Sequence, residues 1–112
     1  MSEEIYSSFL LKKVLLVDLD SQGNSTTGVG ISKSSHEKSI YDLLTDRANL
    51  NEVIVKTKFK NLHVIPASIN LAGADIELME RSRVDKTFNK SSQLKKYLDI
   101  AKQEYDFIII DC

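Results

Sequence analysis

Residues 14–20, Val-Leu-Leu-Val-Asp-Leu-Asp, decide the fold of this 112-residue chain. Four apolar residues in a row are typical of a strand that is covered on both faces, as in a parallel sheet. Two further apolar runs predict strands, Leu-His-Val-Ile at 62–65 and Phe-Ile-Ile-Ile at 107–110. The first and third runs each end in an aspartate, Asp18 and Asp111.

Helical signals lie between the three predicted strands. Residues 39–42 and 49–52 each match a capping box, in which a Ser or Asn and an acidic residue three positions later cap a helix. A third helix is predicted over 71–80, and a fourth begins near a serine at 91–92. The apolar stripe of this fourth helix consists of Leu94, Tyr97, Leu98, Ala101 and Tyr105.

The order of these elements predicts an α/β fold. Strands that alternate with helices form a parallel sheet, and right-handed crossovers place helices on both of its sides. The segment 21–38 is rich in Ser, Thr, Gly and Asn, and we predict a long loop there. The lysines at 56, 58 and 60 are predicted to form a solvated edge before the second strand.

Composition indicates one soluble domain. Hydrophobic residues make up 42% and charged residues 28% of the chain, with a net charge of −1. This balance gives no bulk-charge indication of a nucleic-acid surface. No apolar run approaches the about 20 residues that span a bilayer. The single cysteine, Cys112, excludes an internal disulfide and fits the cytosol.

Three aspartates are the candidate functional residues. Ligands of open parallel sheets bind beyond the carboxyl ends of the strands, so Asp18, Asp20 and Asp111 are predicted to converge on one site. Crowded carboxylates repel each other, and Mg²⁺, which binds one or two carboxylates with waters and phosphate oxygens, is the natural ligand. The alternative interpretation, that these aspartates are turn residues or helix caps, stays open.

Residues 23–30, Gly-Asn-Ser-Thr-Thr-Gly-Val-Gly, have the glycine spacing of a phosphate-binding loop. They lack the lysine and the following Ser or Thr that the motif requires, so they are not a Walker A motif. The glycines are expected to permit turns. Asn24, Ser25, Thr26 and Thr27 supply polar groups that can sense a phosphate or a metal.

Four segments together resemble the ParA/Soj family of chromosome- and plasmid-partitioning ATPases, which have a deviant Walker A motif. They are KKVLLVDLDSQGNSTTGVGI (12–31), SIYDLL (39–44), LHVIPASINLAGADIEL (62–78) and YDFIIIDC (105–112). The resemblance implies a partial, P-loop-NTPase-like domain over residues 1–112, with a three-layer α/β/α architecture. About three strands of the parallel sheet are expected in it, without the phosphate-loop strand and the C-terminal strands of the family.

The resemblance also implies roles for individual residues. Asp20 corresponds to the catalytic aspartate that orients the attacking water, and Asp111 to the aspartate that holds Mg²⁺ through water. Asp18, Gln22 and Asn24 correspond to the cofactor-binding segment. The cofactors implied for the full-length family are ATP and Mg²⁺.

The chain departs from the family at the phosphate loop. The family sequence KGGVGKTT does not occur in it, residues 1–13 contain no glycine, and Ser21 replaces the family's proline. We therefore interpret the chain as a fragment of a ParA-like ATPase that alone binds ATP and Mg²⁺ weakly and hydrolyses none. An alternative is a truncated, non-hydrolysing paralogue that binds a full-length ParA. A MinD-type ATPase is less favoured.

Partners also follow from the resemblance. The family implies a ParB-like protein and non-specific DNA as partners, and a homodimer of the full-length protein. It implies no membrane association. The expected location is the cytoplasm, in association with the nucleoid.

Overall fold

The fold is organised by a four-stranded sheet with the strand order β2-β3-β1-β4. The computed structural model describes residues 12–20, 22–31, 38–68 and 71–111. The strands are β1 (Val14–Asp18), β2 (Val55–Lys56), β3 (Leu62–Ile65) and β4 (Phe107–Asp111). Predictions that concern other residues, among them Ser21 and Cys112, lie outside the described residues.

The central strand β1 is parallel to both of its neighbours. Val14 lies opposite Leu62 of β3 on one side and opposite Phe107 of β4 on the other. The predicted parallel sheet is therefore confirmed. The short strand β2 pairs antiparallel with β3 and was not predicted. It comprises only two residues and lies in the lysine-rich stretch, where Lys56 is exposed as expected.

Five helices connect the strands in the described part of the chain. They are α1 (Asn24–Gly28), α2 (Ile40–Leu44), α3 (Leu50–Val53), α4 (Leu71–Val84) and α5 (Lys90–Ala101). Both predicted capping boxes form, at 39–42 before α2 and at 49–52 before α3. None of these helices has the length and hydropathy needed to cross a membrane.

Three details of the predicted helices are wrong. The helix predicted over 71–80 extends to Val84. The N-cap of α5 is Asn89, whose side chain accepts a hydrogen bond from the Ser92 N–H (2.9 Å), and Ser92 Oγ accepts one from the Asn89 N–H (3.1 Å). Ser92 is thus the third helical residue rather than the cap. The helix ends at Ala101, and Tyr105 lies beyond it. Tyr105 is nevertheless buried, and its hydroxyl lies 2.7 Å from Nδ1 of His63.

The segment predicted as a loop over 21–38 contains the short helix α1. Its sequence, Asn-Ser-Thr-Thr-Gly, has low intrinsic helix propensity, which explains why periodicity did not reveal it. Tertiary hydrogen bonds hold α1 in place, as described below.

The largest hydrophobic cluster lies on one face of the sheet. Leu15 and Val17 alternate along β1 and therefore share a face, and both are fully buried. The helices α2 to α5 contribute to the same core cluster, including Ile40, Leu43 and Leu44 of α2, Leu50 and Val53 of α3, Leu78 of α4, and Leu98 and Ala101 of α5. Asp18 at the end of β1 has the opposite side-chain direction to Val17 and contacts α1.

We predict that Leu43→Ala lowers the free energy of unfolding by about 2–5 kcal/mol, because Leu43 is fully buried and the substitution leaves a cavity. Val84→Ala is the control, since Val84 is 93% exposed, and is expected to change the free energy by less than about 0.5 kcal/mol. Urea denaturation measures both values. Equal effects of the two substitutions would contradict this description of the core.

The stability of the fold is expected to depend on the protonation of His63. Burial lowers the pKa of His63 below its usual 6.5, and the charges of Lys13 and Lys56 lower it further. The unfolded chain therefore binds this proton more readily than the folded chain does. The free energy of unfolding should decrease as the pH falls through about 6.5 and level off below the lowered folded-state pKa.

Urea denaturation at a series of pH values between about 7.5 and 5 measures this dependence. His63→Gln is expected to flatten the curve over that interval. A curve for the variant that runs parallel to the original curve would show that His63 is not responsible.

Candidate functional site

The candidate site lies at the carboxyl end of β1, where α1 packs against it. The chain leaves β1 at Asp18, turns through 19–23 and enters α1 at Asn24. Gly23 precedes the helix with a φ of 68°, in the left-handed region that favours glycine. This turn brings the polar side chains of α1 back to the strand that precedes it.

Asp18 is fully buried, and its carboxylate is satisfied by the protein itself. Oδ2 accepts hydrogen bonds from the N–H (2.8 Å) and the hydroxyl (2.6 Å) of Thr26, and Oδ1 accepts one from the Asp20 N–H (3.0 Å). The Thr26 hydroxyl in turn accepts from the N–H of Ala67 (3.0 Å). One buried carboxylate therefore connects β1, α1 and the segment that follows β3.

Asp20 is half-buried and organises the turn before α1. Its Oδ1 accepts a hydrogen bond from the Gln22 N–H (3.0 Å), and its Oδ2 accepts one from the side-chain amide of Asn24 (3.1 Å). The predicted site residues Asp20, Gln22 and Asn24 thus lie together.

Asp111 reaches the same place from the neighbouring strand. It lies directly opposite Asp18 in the register of β1 and β4, and its carbonyl accepts from the Leu19 N–H (2.7 Å). Its carboxylate accepts a hydrogen bond from the hydroxyl of Ser25. Asp111 is partly buried, so its carboxylate lies at the border between the sheet and solvent.

Three successive residues of α1, at 24–26, each bind a different aspartate. Asn24 binds Asp20, Ser25 binds Asp111, and Thr26 binds Asp18. The structure therefore brings the predicted aspartates to one end of the sheet. It does not crowd them into one cation site, because the described residues contain no group of three or more acidic, histidine or cysteine side chains that could hold a metal. The predicted Mg²⁺ site, which needs only one or two carboxylates, stays a prediction.

The three aspartates therefore differ in what they can bind. Asp18 is buried and hydrogen-bonded within the protein, which fits a structural role, and its predicted part in cofactor binding stays a prediction. Asp20 and Asp111 are partly accessible, and each is held by one α1 side chain. Two accessible carboxylates suit Mg²⁺, which binds one or two carboxylates and fills its other coordination positions with waters and phosphate oxygens.

Ser25 and Thr26 are the residues whose specific roles were not predicted. The sequence indicated a polar segment there, but it did not indicate which hydroxyl binds which carboxylate. The contacts join residues 86 positions apart for Ser25 and Asp111, and 8 positions apart for Thr26 and Asp18. Only the fold brings these partners together.

The mostly parallel α/β sheet, with acidic residues at the carboxyl ends of neighbouring strands, matches the P-loop-NTPase-like class of folds. Solved structures agree with this assignment. Cobyrinic acid a,c-diamide synthase from Mycobacterium smegmatis, with bound ATP analog and magnesium, superposes with a TM-score of 0.81 and 30% identity, over 95% of this chain and 41% of that one. Apo McdA of Cyanothece gives 0.79 at 23% identity, over 96% and 40%, which supports the fold alone.

Sequence comparison specifies the family. A family described as an AAA domain matches residues 7–112. The sporulation initiation inhibitor protein Soj of Bacillus subtilis is 48% identical over 105 residues, 94% of this chain and 39% of that protein. The chromosome-partitioning ATPase Soj of Treponema pallidum is 42% identical over 107 residues, 96% of this chain and 39% of that protein. The chain belongs to the ParA/Soj family.

The septum site-determining protein MinD of Pyrococcus horikoshii, complexed with Mg-ADP, is also similar, with a TM-score of 0.68 and 27% identity over 93% of this chain and 37% of that one. The chain spans about two fifths of the length of the first curated relatives that it matches. It therefore corresponds to one part of those proteins.

We predict that Thr26→Val lowers the free energy of unfolding by about 2–4 kcal/mol, because buried Asp18 and the N–H of Ala67 each lose a hydrogen-bond partner. The substitution keeps the shape of the side chain, so packing changes little. Thr27→Val is the matched control, since Thr27 is the next residue of α1 and is exposed.

Urea denaturation of both variants measures the difference. The control is expected to remain within about 0.5 kcal/mol of the original protein. If both variants were equally destabilised, low helix propensity of valine and not the hydrogen bonds of Asp18 would explain the result.

Proposed function

We propose that this chain is part of a ParA-like partitioning ATPase and contributes the acidic edge of its nucleotide site. The observation that supports this proposal most is that Asp20, just beyond β1, and Asp111, at the end of the adjacent parallel strand β4, both contact α1, through Asn24 and Ser25. The 48% identity to a Soj protein supports the same function.

In this proposal the two aspartates have different tasks. Asp20 accepts a hydrogen bond from the attacking water and orients it, and Asp111 holds Mg²⁺ through a bound water. The ion, when bound, neutralises charge on the phosphate oxygens. Asn24 and Gln22 hold the turn that carries Asp20, through the amide of Asn24 and the backbone N–H of Gln22. The buried carboxylate of Asp18 holds α1 in place through its hydrogen bonds with Thr26.

The 112 residues by themselves are expected to turn over no ATP. A phosphate loop supplies several N–H donors and a lysine, and charged hydrogen bonds contribute roughly 1.5–3 kcal/mol each. The absence of three such bonds weakens ATP binding on the order of 10³-fold or more. An assay of phosphate release by the purified chain with Mg²⁺ and ATP checks this expectation, and turnover that Asp20→Ala abolishes would contradict it.

The proposed function is tested in a chimaera that supplies the remaining parts of the site. The 105 aligned residues of Bacillus subtilis Soj are replaced by their counterparts from this chain. We expect the chimaera to hydrolyse ATP in a Mg²⁺-dependent reaction. Asp20→Ala in the chimaera is expected to lower kcat at least about tenfold, because orienting the water is a large part of phosphoryl-transfer catalysis.

Asp99→Ala is the matched control in the chimaera. Asp99 is an exposed aspartate of α5, where it pairs with Lys95 and Lys102, and its loss is expected to leave kcat unchanged. A folded chimaera in which Asp20→Ala and Asp99→Ala have the same kcat would refute the assigned role of Asp20.

The proposal extends to the partners of the full-length family. The complete protein would act as an ATP-dependent homodimer on non-specific DNA, together with a ParB-like protein. Its place of action would be the cytoplasm, in association with the nucleoid. The names of the Soj and ParA relatives, which describe chromosome partitioning, support this assignment.

A further inference from the structure

Five lysines lie at the end of the sheet opposite to the aspartates. Lys12 and Lys13 precede β1, while Lys56, Lys58 and Lys60 belong to β2 and the turn that leads to β3, and all five are exposed. We refer to these five residues as the lysine rim. It is separate from the residues of the proposed nucleotide site.

Contacts across the sheet bring the two parts of the lysine rim together. The N–H of Val14 donates to the carbonyl of Asn61 (2.8 Å), which places Lys13 beside the turn before β3. His63 lies opposite Leu15 of β1, two residues after Lys13, and opposite Lys56 of β2. The rim is therefore one positively charged surface, although its members are more than 40 residues apart in sequence.

Among the described residues, the lysine rim has little compensating negative charge. In the part of the chain that the structure describes, none of its five ammonium groups forms an ion pair. Asp106 is the adjacent acid, and its carboxylate accepts a hydrogen bond from the backbone N–H of Lys13 (2.8 Å). The lysines of α5 and of the residue that follows it differ, because Lys90, Lys95, Lys96 and Lys102 all pair with aspartates.

An exposed aromatic ring lies within this positive surface. Phe59 is 48% exposed at the turn between Lys58 and Lys60, and the ammonium of Lys58 lies 5.3 Å from the centre of its ring. Proteins that bind single-stranded nucleic acid combine these two features, because lysines contact the phosphates and an aromatic ring stacks on a base.

We propose that the lysine rim and Phe59 form a binding surface for single-stranded nucleic acid. A single ring offers little apolar area for insertion into a membrane, which disfavours a lipid surface. A duplex keeps its bases stacked on each other, so Phe59 has no base to stack on there. This inference goes beyond the proposed function, since it requires neither ATP nor Mg²⁺.

The test measures the fluorescence anisotropy of a labelled, mixed-sequence single-stranded oligonucleotide with the 112-residue chain, without nucleotide. The variant Lys56→Gln/Lys58→Gln/Lys60→Gln is expected to bind about tenfold or more weakly. Its slope of log K against log salt should be smaller by about 2, which corresponds to three lost phosphate contacts. The matched control, Lys90→Gln/Lys95→Gln/Lys102→Gln, removes the same charge from α5 and the residue that follows it, and should change neither value.

A second variant tests the stacking contribution. Phe59→Ala is expected to weaken binding of the single strand about fivefold or more and to leave binding of the duplex of the same sequence unchanged. Circular dichroism verifies that each variant is folded, and the single substitution Lys58→Gln replaces the triple variant if that variant is unfolded.

Several outcomes would overturn the inference. These are no binding of the oligonucleotide at low salt, equal losses in the two triple variants, or an unchanged affinity of Phe59→Ala for the single strand. Binding to vesicles of anionic lipid without binding to the oligonucleotide would overturn it as well. Because the assay contains no ATP, its result is independent of the ATPase activity of the chimaera.

Discussion

The buried carboxylate of Asp18 is the constraint on which the site depends. A charge in the interior is tolerated only where hydrogen bonds replace the water that it has lost. Thr26 and the backbone of Asp20 supply these bonds, and Ala67 completes the network by donating to the hydroxyl of Thr26. The positions of α1 and of the segment after β3 are therefore fixed relative to the central strand.

The same constraint gives the two accessible aspartates their geometry. With Thr26 anchored on Asp18, the preceding residues of α1 face the other two carboxylates, so that Asn24 contacts Asp20 and Ser25 contacts Asp111. A ligand that displaced the Asn24 amide from Asp20, or the Ser25 hydroxyl from Asp111, would remove a contact that α1 makes with the site.

The strands and the capped helices were predictable because their signals are local. The apolar runs of β1 and β4 and the two capping boxes depend on residues within a few positions of each other. Two elements escaped prediction because their causes are not local. The helix α1 has weak propensity and is held by Asp18, while the two-residue strand β2 exists only through its pairing with β3.

The candidate site was predictable to a similar degree. The rule that sites of parallel sheets lie beyond the carboxyl ends of the strands correctly predicted that Asp18, Asp20 and Asp111 lie at one end of the sheet. It holds here because β1 and β4 are parallel and in register at Asp18 and Asp111. This rule does not predict the individual hydrogen bonds, because nothing in the sequence indicates that residues 25 and 111 are in contact. The burial of Asp18 could not be predicted either, because the sequence does not indicate its contacts with α1.

The pairing of β1 with β4 has a consequence for how the chain acquires its fold during synthesis. The hydrogen bond between Lys13 and Asp106 joins residues 93 positions apart, so the central strand emerges from the ribosome long before its second neighbour. Until then one edge of β1 has no β4 beside it, and closing so long a loop is slow. The nascent chain therefore exposes an apolar strand edge until residues 107–111 have been synthesised, a state in which chaperones commonly bind.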